Sequence, residues 1–167
     1  YTAVTDLLGT SPVEARFTNA SDSSGYPALF FNPASSEYGV IWQDERNGHR
    51  EIFFAAVNPA GTKTVADRSV SDAYRYDSSR DVVALVWAGT NYGAAWTDDR
   101  DGNNEIYFAR LTAAGALASP EERITNAAYT STYPSLSWNG TQWALAWYDG
   151  RDGNNEIYFA ILGCVPP

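Results

Sequence analysis

Apolar residues along this chain gather in short dense runs bounded by turn residues, and no stretch repeats them at the three-to-four spacing of an amphipathic helix. Runs at 28–31, 83–87 and 135–138 each lead into a turn signal, Asn32-Pro33, Gly89 or Asn139-Gly140. A second run follows each, at 38–42, 92–96 and 143–147, and then an Asn-Gly or Asp-Gly dipeptide of the kind that closes a β-hairpin. Third runs at 51–57, 105–111 and 156–162 complete the series. The pattern predicts three sets of antiparallel strands and essentially no helix. The runs are dense enough to be buried on both faces, so the sheets are expected to stack face to face.

The order recurs because the chain repeats itself. The pattern W-x-D-x-R-x-G-x-x-E-I-[FY]-F begins at Trp42, Trp96 and Trp147, at intervals of 54 and 51 residues. A fourth strand is expected in each copy, at 16–20, 68–73 and 123–127, the first and last sharing Arg-x-Thr-Asn-Ala. The whole chain, 1–167, then reads as one domain with repeats at about 14–67, 68–122 and 123–167. The last copy stops after its third strand, which leaves the segment at 16–20 positioned to complete it. Residues 1–8 look like one further third strand, Tyr1-Thr2-Ala3-Val4 matching Tyr107-Phe108-Ala109-Arg110, with no sheet assigned to receive it.

Such a W-x-D-x-R-x-G-N-x-E-I-Y repeat resembles the blades of bacterial secreted and cell-surface β-propeller proteins, and the likeness covers nearly the whole chain. It implies an all-β fold of propeller blades, three four-stranded antiparallel sheets per chain. Propellers close with roughly four to eight blades. Three cannot pack around an axis without a gap, so a homodimer forming one six-bladed ring is expected, with residues 1–8 and Cys164 near the seam. The first copy departs from the pattern, with Asn47-Gly48-His49 where the others read Asp-Gly-Asn. Propellers host lectins, hydrolases, scaffolds and adhesins alike, so function has to be read from side chains.

Composition narrows the classes. A net charge of −9 argues against nucleic acid, which needs a basic face. No apolar run approaches the roughly 20 residues of a membrane-spanning helix, so no insertion into a membrane is expected. Cys164 is the single cysteine, which excludes an internal disulfide and any Cys-pair metal site. A start at Tyr1 and the lack of methionine suggest a processed product or a piece of something longer, and a secreted or cell-surface location is expected.

Residues two apart on a strand share a face, so Asp44 and Arg46, Asp98 and Arg100, and Asp149 and Arg151 should point the same way. The hairpin returns Glu51, Glu105 and Glu156 beside them. One guanidinium serving both carboxylates would make a sheet-locking triad in every repeat. A carboxylate-binding arginine cluster of the sialidase kind is the sharper alternative. Against it, the arginines recur symmetrically and already have acidic neighbours, and the S-x-D-x-G-x-[TS]-W box is absent. His49 is the only histidine, so no Ser-His-Asp arrangement is available. The hairpin loops are rich in oxygen ligands and make calcium a candidate cofactor at Asp99, Asp101 and Asp152, although an arginine inside each loop breaks the usual calcium pattern.

Aromatic residues remain. Trp42, Trp96 and Trp147 keep the period of the repeat and should pack between sheets. Tyr74, Tyr76, Tyr129, Tyr133, Trp87 and Trp138 are less regular and are the candidate ligand-binding set. Rings beside Asp, Asn and Arg suit the apolar face and hydroxyls of a sugar. The expected function is a non-enzymatic, multivalent carbohydrate-binding propeller. The alternatives are a structural or adhesion module binding protein surfaces, or a fragment of a propeller hydrolase such as a glycosidase.

Overall fold

The computed structural model describes residues 14–71 and 82–163. Eleven strands and no helix are present among them. The first sheet is a meander of β1 (Ser24–Asn32), β2 (Glu37–Asp44), β3 (Glu51–Val57) and β4 (Lys63–Ser69). The second repeats it with β5 (Val83–Trp87), β6 (Tyr92–Asp98), β7 (Glu105–Leu111) and the short β8 (Glu122–Arg123). The third contains β9 (Ser131–Trp138), β10 (Trp143–Asp149) and β11 (Glu156–Leu162). All pairings are antiparallel.

The motif sets the central hairpin of each sheet. Asp44 pairs with Glu51, Asp98 with Glu105 and Asp149 with Glu156. The chain between them turns at Gly48, Gly102 and Gly153, with φ of 81°, 112° and 92°, a region that a side chain enters only with strain. β1 and β9 begin earlier than their apolar runs suggest, because each carries a bulge near its start. The bulges let Ser24 and Ser131 reach Asp44 and Asp149.

The sheets stack through faces of two kinds. Ile52 and Phe54 of the first sheet, with Ile41, pack against Leu85, Tyr92 and Trp96 of the second. Ile106 and Phe108 of the second pack in the same way against Leu136, Trp143, Leu145 and Trp147 of the third. Burying a side chain of this size contributes roughly 1.5–3 kcal/mol, so these two interfaces hold the stack together. β5 lies against β1 and β2, and β9 against β5 and β6, so first strands neighbour first strands.

Each end of the stack leaves one face of the same design open. Leu29 is 63% exposed, whereas its repeat equivalents Leu85 and Leu136 are 5% and 9% exposed. At the other end Phe159 is 62% exposed, whereas Phe54 and Phe108 are 0% and 3% exposed. Tyr38 contrasts in the same way with Tyr92 and Trp143, and Ile157 with Ile52 and Ile106.

Residues 14–20 form no strand, contrary to the expectation that 16–20 would be one. Phe17 instead sets its ring edge to face with Trp42, centroids 5.7 Å apart, on the outer face of the first sheet. The third sheet accordingly has three strands among the described residues, where a fourth was expected. Residues 1–8 and Cys164 lie outside the described residues.

Candidate functional site

The most regular polar feature is built on the ends of β2, β6 and β10. Tryptophan and aspartate two apart share a face, and each indole Nε1–H donates to the carboxylate: Trp42 to Asp44 at 2.8 Å, Trp96 to Asp98 at 3.1 Å and Trp147 to Asp149 at 2.8 Å. The arginine two residues on donates its backbone N–H to the same aspartate, at 3.0, 2.9 and 3.0 Å. Its guanidinium bonds the carboxylate as well. The guanidinium then lies over the ring at the third position of the next strand, Phe53 at 4.4 Å, Tyr107 at 4.5 Å and Tyr158 at 4.3 Å. All three aspartates are buried.

Their electrostatics follow from that enclosure. Burial pushes the Asp44 carboxyl up, but donors from Arg46, Trp42 and Ser24 outweigh it and hold the group down at about 2. Asp149 is lowered further, chiefly by Arg151 against the opposing effect of burial. A carboxylate so saturated with donors locks the hairpin and has no lone pair to spare for a ligand.

The glutamates depart from the expected triads. Glu51 bonds Asn47 and His49, and Glu156 bonds Asn154. Glu105 accepts from Arg123 at 2.9 Å, from the Ala127 N–H at 3.0 Å and from the Thr125 hydroxyl. The second carboxylate of the arginine comes from the fourth strand or the residue before it, Asp67 for Arg46 and Glu121 for Arg100. Glu105 thus reaches the fourth strand and the chain just beyond it, whereas Glu51 and Glu156 bond side chains of their own hairpin loops. Aspartate and arginine pair as expected; the glutamate belongs to a second network.

Among the calcium candidates, Asp101 accepts from the Tyr107 hydroxyl and pairs with Arg123, and Asp152 accepts from Tyr158. Asp99 takes part in the turn through its carbonyl, which accepts from the Gly102 N–H at 2.9 Å. No three His, Cys, Asp or Glu side chains converge to hold a metal among the described residues.

The candidate ligand residues that are described do not meet at one place. Tyr74 and Tyr76 lie outside the described residues. Trp87 packs on Tyr92 and Trp138 on Trp143, ring centroids 4.7 Å apart in both pairs, at the margins of the two inter-sheet cores. Tyr129 and Tyr133 are exposed, and Tyr133 meets Tyr148 edge to face at 5.7 Å. Tyr133 and Trp138 stand near opposite ends of β9, so the two tyrosines and the tryptophan serve different surfaces.

Trp138 does line a groove of about 290 Å³ between the second and third sheets, together with Asn91, Arg110, Glu122, Thr141 and Trp143. Arg110 and Glu122 are exposed charges beside aromatic rings. The sequence reading missed both. The available signal was a break in symmetry, since Arg110 occupies the position held by Ala56 and Ile161 in the other copies. A larger hollow of about 460 Å³ covers the outer face of the first sheet, lined by Phe17, Leu29, Tyr38, Val40, Trp42 and Val57 among others. Comparison of the chain with family models, with curated proteins and with solved structures gives no match in any of the three.

Proposed function

We propose that the chain is one half of a six-bladed β-propeller, closed by a second copy, that binds carbohydrate without transforming it and works in a secreted or cell-surface setting. The groove between the second and third sheets carries the reading. Trp138 and Trp143 offer aromatic surface for the apolar face of a sugar ring, and Asn91, Arg110, Glu122 and Thr141 offer donors and acceptors for its hydroxyls. The symmetric Asp–Arg clamps supply no free nucleophile or acid–base pair, which favours binding over catalysis.

Ring closure is supported by the two end faces. The exposed Leu29 and Tyr38 repeat the positions that receive a neighbouring sheet inside the stack, and the exposed Ile157 and Phe159 repeat those that are received. Two chains related by a two-fold axis would satisfy both ends at once and display the groove twice, which raises avidity for a multivalent glycan.

Titration with mono- and oligosaccharides, followed by calorimetry and tryptophan fluorescence, tests the binding reading. Saturable binding that is lost in Trp138→Ala supports it, and no heat or spectral change at millimolar sugar overturns it. The exposed Tyr129, Tyr133 and Tyr148 favour, as a second reading, an adhesion module for protein surfaces. That reading predicts a protein ligand whose binding survives Trp138→Ala and fails in Tyr129→Ala.

A further inference from the structure

We propose that residues 14–20 of one chain supply the fourth strand of the third sheet of a second copy, so that the two chains exchange strands across each seam. The inference rests on the six-bladed ring proposed above and specifies how that ring is fastened.

The segment is a second copy of the chain at and after β8. Glu14-Ala15-Arg16-Phe17-Thr18-Asn19-Ala20 aligns with Glu121-Glu122-Arg123-Ile124-Thr125-Asn126-Ala127, differing only at the second and fourth positions. The two also share a local geometry. Arg16 Nε donates to the Thr18 carbonyl at 2.7 Å, as Arg123 Nε donates to the Thr125 carbonyl at 2.8 Å. Their apolar residues have matching neighbours as well. Ile124 belongs to the cluster containing Trp147 of the following sheet, and Phe17 packs on Trp42, the equivalent tryptophan of the first sheet. Segment 14–20 therefore sits where the last strand of a preceding sheet would sit.

The second sheet shows what that last strand does. The Ile124 N–H donates to the Ile106 carbonyl at 2.7 Å, and the Ile106 N–H donates to the Thr125 hydroxyl at 2.8 Å. Arg123 and the Ala127 N–H hold Glu105, and Glu121 holds Arg100. The first sheet repeats the backbone part, Val70 N–H to the Ile52 carbonyl at 2.8 Å and Ile52 N–H to the Ser71 hydroxyl at 2.9 Å.

On the third sheet the receiving groups are present, and among the described residues no donor strand lies beside them. β11 is an edge with one paired neighbour among the described residues, and Glu156 and Ile157 are exposed where Glu105 and Ile106 are buried. An unprotected apolar edge of this kind is a template for another strand. Segment 14–20 cannot be expected to serve its own third sheet while Phe17 is packed on the first, because the second sheet lies between the two. A second copy placed head to tail brings its own segment to that edge. In the register of the second sheet, Arg16 then pairs with Glu156, Thr18 accepts from the Ile157 N–H, and Glu14 meets Arg151.

Charge exchange tests this on the intact chain. Arg16 and Glu156 are both exposed in the single chain, so their replacement leaves its own core untouched. The native chain is expected at twice 18.3 kDa by light scattering. Arg16→Glu and Glu156→Arg should each weaken the dimer at least about tenfold, because each places like charges opposite one another at both seams. An equimolar mixture of the two variants should recover the native affinity, since both seams of the mixed dimer then carry opposite charges. Circular dichroism checks that each variant alone keeps its strand content. A native mass of 18.3 kDa overturns the ring and the exchange together. A native dimer that both variants leave within about twofold of its affinity, or that the mixture fails to restore, overturns the exchange and leaves the ring standing.

Discussion

The Tyr92 ring lies over Gly39 so closely that a Cβ at residue 39 would stand 2.6 Å from its Cζ. The contact seats the second sheet on the first, and the third repeats it on the second, with the Trp143 ring over Gly93. Tyr92 cannot swing away, because Trp87 and Phe54 pack on it at 4.7 and 5.2 Å. Gly39→Ala should therefore lower stability by about 1–3 kcal/mol. Gly25→Ala, where a Cβ meets nothing within 4 Å, should stay within about 0.5 kcal/mol of the native chain. Urea unfolding of the two variants gives the comparison, and equal midpoints would remove this account of sheet docking.

Arg100 binds Asp98 and Glu121 while covering Tyr107. Arg100→Ala leaves the buried Asp98 without its cation and should cost roughly 3 kcal/mol. Arg100→Lys should recover only part of the loss, since a single ammonium cannot reproduce the planar fork and the stacking. Full recovery by lysine in a denaturation series would show that charge alone matters here.

Acid should unfold the chain in a defined window. Asp44 and Asp149 both have pKa values below the ordinary 3.8, so the unfolded chain holds their protons more tightly than the folded one. The stability they lend is complete above the ordinary value and is lost as pH falls from about 4 toward 2. Melting temperature measured against pH should be level near neutrality and drop in that interval. Asp44→Asn should melt lower at neutral pH and show a shallower acid drop; an identical acid profile would exclude Asp44 as a contributor.

Phe159 and Phe108 occupy the same position of the repeat, one exposed at the end of the stack and one buried within it. For the proposed two-chain ring, Phe159→Lys should leave the chain folded and bring the mass in solution from twice 18.3 kDa to 18.3 kDa. Phe108→Lys should unfold it, because the charge would be buried without a partner. Circular dichroism and light scattering read the two effects separately. A dimeric Phe159→Lys variant would show that this face is not the seam.

The first three strands of each sheet, the hairpins and the repeat were legible in the sequence because each rests on local information, whereas the fourth strands expected at 68–73 and 123–127 lie at Lys63–Ser69 and Glu122–Arg123 and the one expected at 16–20 is not a strand. Apolar runs of strand length, Asn-Gly and Asp-Gly turns and a motif recurring from Trp42 to Trp147 need no knowledge of distant contacts. The pairing of Asp98 with Arg100 was legible for the same reason, being two residues apart on one strand. Packing between distant residues settled the rest. It gave Glu105 to Arg123 and Thr125, from the fourth strand and just beyond, rather than to Arg100. It made Trp138 a wall of an inter-sheet groove while Tyr133, five residues earlier, went to another surface. It also separated Leu29 from Leu85 and Phe159 from Phe108, residues that the repeat makes equivalent. Burial is a property of neighbours in space, and a residue at the end of a stack differs from its copy in the middle only by the sheet that is not there.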